Sequence, residues 1–193
     1  MRQHQKYPYD NLHSAHSRNQ RLLLFLEQHP QIHLTLVPGG AQLDLLSQLL
    51  KLHSLKIMML CIDRLSAATG DYSSERALLD LGSQNPGAVI IATSPQCALA
   101  TQGGRMYRAM ALRLNRPPCG EGKSAAFLAG FLALLLEAAD ITQALRAGHA
   151  NAAAVAQSWQ PVKDLCNRNQ VEPFLVAVGD APTDSYYLTT IKR

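Results

Sequence analysis

Charge and aromatic side chains are both scarce in this 193-residue chain: 17% of its residues are charged and 6% are aromatic, with a single Trp. So little charge excludes an intrinsically disordered chain, and the lack of a Gly-X-Y or heptad period excludes a collagen-like or coiled-coil protein. Long hydrophobic runs are missing too. The longest, Ala125 to Leu136, is interrupted by Gly130 and falls short of the roughly 20 apolar residues that span a bilayer. Residues 1–20 (MRQHQKYPYDNLHSAHSRNQ) contain no apolar h-region, so nothing in them points to secretion, and a cytoplasmic protein without membrane association is expected. Cys61, Cys97, Cys119 and Cys166 form no CxxC and no Cys/His pair at zinc-site spacing, so they are expected to be free and mostly buried thiols. Acidic residues are absent from 81–120, a stretch that carries Arg105, Arg108, Arg113 and Arg116. Such a stripe could meet a nucleotide phosphate or nucleic acid, but Tyr107 is its lone aromatic neighbour and makes no stacking platform. A solvated hairpin face accounts for it better, and no nucleic-acid partner is expected.

What is present is apolar: 47% of the residues, enough at this length for one core that buries roughly 70% of the unfolded surface. The net charge of +4 fits a chain that handles anions without requiring it. Residues 1–17 read as a flexible arm, and 18–193 as a single α/β domain. Within the domain the pattern alternates. A helix from Arg18 to Gln28 precedes His29-Pro30, and the alternation in Ile32 to Val37 predicts a strand. A helix follows over Ala41 to Leu52. The continuous apolar runs KIMMLCI (Lys56 to Ile62) and GAVIIAT (Gly87 to Thr93) predict strands covered on both faces. Asp63 to Tyr72 reads as a loop, with a helix capped by Ser73 or Ser74 running to about Leu81.

This succession argues for a layered α/β/α domain with a mostly parallel sheet. Cys97 to Thr101 and Arg105 to Leu114 then read as a hairpin turning at Gly103-Gly104. A helix over Ser124 to Glu137 follows, and another to about Gln157, capped by Asp140 with Gln143 three residues on. A short helix, a strand near Phe174 to Val178 and a polar tail end the chain.

The segment that carries chemistry is the loop Gly120-Glu121-Gly122-Lys123-Ser124 and the helix it opens. Glycines at 120 and 122 allow backbone N–H groups to converge, and the helix adds unpaired N–H groups and the positive end of its dipole. An anion or phosphate is held by such groups without a dedicated side chain. The loop ends like a Walker A motif, but Pro117 stands where that motif needs its first glycine.

Taken in order, several stretches over roughly residues 86–157 resemble the C-terminal half of the ribokinase or PfkB family of carbohydrate kinases. They are the GAVIIAT strand, the hairpin, the Pro-Pro and Gly-x-Gly loop, and then Phe127, Ala129-Gly130-Phe131-Leu132, Ala144-Leu145 and Asn151-Ala152-Ala153. The resemblance implies a ribokinase-like fold, an ATP-dependent sugar or nucleoside kinase ancestry, and ATP with Mg2+ as cofactors. In that family the loop reads Gly-Ala-Gly-Asp; its aspartate takes a proton from the acceptor hydroxyl while the glycine amides stabilise the transferring phosphoryl group.

Three departures qualify the implied function. The position of the family aspartate holds Lys123, and a cation is a poor proton acceptor; Glu121, the nearest carboxylate, lies two residues earlier. The family's Asn-x-x-Glu metal motif is absent, with Asp63 and Glu75 the nearest carboxylates. Residues 1–31 also leave little room for the family's first strands and lid, so an incomplete fold is expected.

The catalytic candidates are Lys123 and Glu121. Gly120, Gly122, Ser124 and Asn151 are the cofactor-binding candidates, and no protein metal ligand is assigned. The expected function is a degenerate kinase homologue that binds a nucleotide or sugar phosphate with little or no phosphoryl transfer. An active kinase and an unrelated α/β interaction module are the alternatives. Sheet edges left open would favour a homodimer.

Overall fold

The buried hydrophobic strands organise everything else. The structure is a computed structural model that describes residues 11–38, 43, 45–71, 73–112, 122–137, 140–156, 169–171, 173, 176 and 183–187. Along the chain run α1 (Asn11–Gln28), β1 (Leu34–Leu36), α2 (Leu46–Leu50), β2 (Leu55–Cys61), α3 (Ile62–Thr69), α4 (Ser74–Gln84), β3 (Val89–Thr93), β4 (Cys97–Gln102), β5 (Arg105–Met110), α5 (Lys123–Leu136), α6 (Ile141–Ala156) and β6 (Thr183–Tyr187). The six strands form one sheet in the order β1 to β6. β1, β2 and β3 pair in parallel, and each later strand is antiparallel to the one before it. Hence β1, β2, β3 and β5 point one way and β4 and β6 the other.

Because successive strand residues face opposite sides, β2 serves two cores at once. Met58 and Leu60 pack with Leu50, Leu65 and Leu78, from α2, α3 and α4. Ile57 and Met59 pack with Phe127, Phe131 and Leu145, from α5 and α6. The expected α/β/α layering holds, with helices covering both faces of the sheet. Ser73 is the cap of α4, its Oγ accepting the Arg76 N–H at 3.5 Å. Asp140 caps α6 by accepting the Gln143 N–H at 2.7 Å. The hairpin turns where expected, with Gly103 (φ 56) and Gly104 (φ 79) both in the left-handed region that a two-residue turn requires.

Four local readings need correction. Asp63 to Tyr72 is not all loop, because α3 occupies most of it. α1 begins at Asn11 rather than Arg18. Val176 is helical where a strand was expected, and the supposed polar tail contains β6, zipped along β5 from Arg105↔Tyr187 to Ala109↔Thr183. The thiols also differ from expectation: Cys61 is exposed and Cys97 half-buried, while Cys119 and Cys166 lie outside the described residues.

α5 and α6 approach closely because each offers a glycine to the other. A Cβ on Gly130 would lie 2.6 Å from the Ala147 carbonyl oxygen, and one on Gly148 would lie 2.9 Å from the Phe127 ring. Gly130→Ala gains about 1 kcal/mol of helix propensity. It loses more through overpacking, which costs about 1–3 kcal/mol, because a backbone carbonyl cannot rotate aside as a side chain can. Urea unfolding should show a lower midpoint at unchanged slope; a raised midpoint would mean the two helices are not in this contact.

Candidate functional site

Sheet polarity places the site. β2 and β3 end at Cys61 and Thr93, and beyond the carboxyl ends of such parallel strands lies the usual crevice for ligands in open α/β sheets. A cavity of about 300 Å³ opens there, bounded by Cys61, Thr93 and Ser94 on the strand side, by Lys123, Ser124 and Phe127 of α5, and by the alanine face of α6. Alanines at 152, 153 and 156 keep that wall low and apolar.

Gly122 is the N-cap of α5, with φ 84 and ψ −13, a left-handed conformation that suits glycine. Its carbonyl oxygen accepts the Ala126 N–H at 2.9 Å, and no side chain caps the helix. The first N–H groups of α5 therefore have no intrahelical acceptor, and the positive end of the helix dipole coincides with the half-buried Lys123 at the cavity's edge. Across the cavity the turn after β3 is pinned by Ser94, whose Oγ accepts the N–H groups of Gln96 (3.2 Å) and Cys97 (3.0 Å). That wall is preformed.

His149 closes the inner end. It is 6% exposed, its Nε2 bonds the Ala109 carbonyl oxygen at 3.1 Å, and the Phe127 ring meets it edge-on at 5.2 Å. Burial pushes its pKa down to about 4, only partly opposed by the Ala109 contact, so the ring is neutral near pH 7. A neutral imidazole beside a carbonyl oxygen donates from Nε2, which fixes the tautomer. This histidine is a packed element of the wall.

No family model matches the sequence, and no curated protein matches it. Solved structures do. A carbohydrate kinase from Agrobacterium tumefaciens aligns at TM-score 0.59 and 22% identity, over 78% of this chain and 48% of that one. A nucleoside kinase from Methanocaldococcus jannaschii, described as an archaeal member of the ribokinase family, aligns at TM-score 0.62 and 13% identity, over 75% and 48%. The chain carries part of a ribokinase-like fold. A protein described as ribokinase II of E. coli, in complex with ATP and Mg2+, aligns at TM-score 0.60 and 17% identity, over 69% and 42%. The chain thus spans about half the length, or less, of these ribokinase-like structures.

Within the ribokinase-like fold the sequence candidates separate. Gly122, Lys123 and Ser124 come together at the start of α5, and Lys123 and Ser124 line the cavity. Asn151 is buried on the α5-facing side of α6: a Cβ on Gly130 would lie 2.7 Å from its Nδ2, and it is not among the lining residues. Gly120 and Glu121 lie outside the described residues. Asp63 is in the first turn of α3. Glu75, in the first turn of α4, accepts a hydrogen bond from the Tyr186 hydroxyl.

Arg105 and Arg108 of the arginine stripe, three positions apart on β5, face opposite sides of the sheet. Arg108 pairs with Asp184 on β6, while Arg105 reaches Ser185 and lies over the Tyr107 ring; Arg113 and Arg116 are outside the described residues. Cys61, Thr93 and Ser94 were not expected at the site. Their signal was available, since each sits at or just past the carboxyl end of a strand readable as buried and parallel. Among the described residues no carboxylate lines the cavity, and no three His, Cys, Asp or Glu side chains gather as metal ligands. Among the described residues no helix is long and apolar enough to cross a membrane.

Proposed function

We propose that this cavity binds the phosphate of a nucleotide or a sugar phosphate, and that the chain transfers phosphoryl groups slowly or not at all. The observation that carries the binding half is that Lys123 and Ser124, at the open N-terminus of α5 that Gly122 begins, line one cavity. Backbone N–H groups, a helix dipole and an ammonium all favour an anion at that point. The apolar wall of Phe127 and the α6 alanines suits the flat or uncharged body of the same ligand. The weak-transfer half rests on Lys123 standing where the resemblance implies an aspartate base, since an ammonium binds phosphate and accepts no proton.

Thermal unfolding with ATP or ADP, with and without Mg2+, tests the binding. At a ligand concentration of 100 Kd the fold gains about 2.7 kcal/mol, which raises the Tm by several degrees. Lys123→Ala removes a charge-assisted contact worth about 1.5–3 kcal/mol and should weaken binding by roughly ten- to a hundredfold. No Tm change at millimolar nucleotide or sugar phosphate rejects the pocket. Sugar-dependent ADP release by the unmodified protein would favour an active kinase instead, and Lys123→Asp should then raise the rate by about 10²-fold or more.

A further inference from the structure

The second half of α1 carries more large apolar side chains than its own chain absorbs. Leu22 to Leu26 are five consecutive large apolar residues, and on a helix five consecutive positions point all the way round. Leu23 and Leu26 enter the core under the sheet, at 8% and 4% exposure. Leu22, Leu24 and Phe25 stay 48%, 57% and 47% exposed, and Val37 beyond β1 is 48% exposed. On the helix Leu22 points about 160° away from Leu24, whereas Leu24 and Phe25, about 100° apart, share the side turned away from Leu23 and Leu26. Single exposed leucines are ordinary, and it is this adjacent Leu-Phe pair that forms a patch of the kind that marks an interaction surface.

The charges around that patch select its occupant. Arg21 and Glu27 lie three residues before and three after Leu24; both are exposed, and neither belongs to an ion pair among the described residues. An antiparallel copy of the same helix, related by a two-fold axis at Leu24, meets residue n with residue 48 − n. Leu24 then packs on itself, and Arg21 of each copy comes level with Glu27 of the other, about 4.5 Å along the helix from the axis. Gln20 comes level with Gln28 in the same way. A two-fold interface must be self-complementary, and this sequence is: opposite charges flank a leucine at equal spacing. Gln20, Leu24 and Glu27 also line a cleft of about 710 Å³ between α1 and α2, so a helix seated on Leu24 covers the mouth of that cleft.

We propose that the chain forms a two-fold homodimer through antiparallel packing of α1 on α1, centred on Leu24. This interface lies at the amino-end side of the parallel strands, away from the cavity at their carboxyl ends, and is independent of the proposed ligand.

Sedimentation velocity of the full chain over a concentration series tests it, with circular dichroism confirming that each variant is folded. The unaltered chain should dimerise in the micromolar range, and Leu24→Glu, which replaces an exposed side chain, should leave a folded monomer. Arg21→Glu and Glu27→Arg should each weaken the dimer by about tenfold, because each change creates two like-charge encounters. The double variant Arg21→Glu/Glu27→Arg, which restores opposite charges, should recover the dimer to within a few-fold. A chain that remains monomeric into the hundreds of micromolar overturns the proposal and leaves the face to a different partner. A dimer that Leu24→Glu does not weaken, or a double variant no better than the singles, overturns it equally.

Discussion

Truncating Phe131 to alanine is expected to lower stability by about 3–5 kcal/mol, which approaches the whole stability of a marginal domain. Phe131 has no exposed surface. It stacks along α5 on Phe127, with ring centroids 6.4 Å apart and planes 10° from parallel. It also fills the space between α5, α6 and the residues of the sheet face that include Met59 and Ile91. Nothing in that contact can collapse inward, because the sheet is backed on its other side by a second packed layer. The cost therefore combines lost transfer energy with an unfilled cavity.

Leu136, on the same helix but 84% exposed, is the control: Leu136→Ala should change stability by no more than about 0.5 kcal/mol. Urea midpoints for the two variants make the comparison. If Phe131→Ala costs less than about 1 kcal/mol, α5 does not dock on the sheet as described. Because α5 carries Gly122, Lys123 and Ser124 at its first turn, a loosened α5 should also abolish any Tm increase by nucleotide.

The elements legible in the sequence are those whose burial is written locally. KIMMLCI and GAVIIAT announce strands covered on both faces, Gly103-Gly104 announces its own turn, and Ser73 and Asp140 mark their helices because a cap is a short-range interaction. Where the signal is non-local, the reading fails. β6 is held by partners distant in the chain: Asp184 pairs with Arg108, Ser185 accepts a hydrogen bond from Arg105, and the Tyr186 hydroxyl donates to Glu75 on α4. Burial and that carboxylate push the Tyr186 phenol up to about 12, so the bond persists at any ordinary pH. No window of TDSYY contains this information. α3 was missed for the opposite reason. It is short, only Leu65 of it is buried, and its one clear mark is Gly70, where the helix stops.

The site was legible in the same uneven way. The end proposed to bind an anion follows from residue types alone, since glycines before a helix and a lysine at its first turn are local chemistry. Its opposite wall, Cys61, Thr93 and Ser94, follows only once the strands are known to be parallel neighbours. Asn151 can be placed only through the packing of the two helices. It occupies the contact that Gly130 leaves open between α5 and α6, on a different side of α6 from Ala152 and Ala153.

His149 makes the second large prediction, through pH. In the folded chain its pKa lies near 4, against about 6.5 in an unfolded one. Between those values the unfolded state binds a proton that the folded state refuses, so acid favours unfolding. The stability at stake is fully present above pH 6.5, falls by up to about 1.4 kcal/mol per pH unit through the window, and is lost by pH 4, about 3 kcal/mol in all. His149→Phe separates this from other acid effects. It leaves the Ala109 carbonyl oxygen without its donor, a penalty of about 1–3 kcal/mol at every pH, but takes up no proton on unfolding. Contributions from the rest of the chain are common to both proteins and cancel in the comparison. Unfolding free energies from urea at pH 7.5, 6 and 5 should therefore show the unaltered protein losing its advantage over His149→Phe as pH falls. Two curves that stay parallel from pH 7.5 to 5 would mean that the imidazole is solvated and protonates freely in the folded chain. The inner wall of the cavity would then be polar and open to water, and the neutral, apolar surface offered to the body of a phosphorylated ligand would not exist.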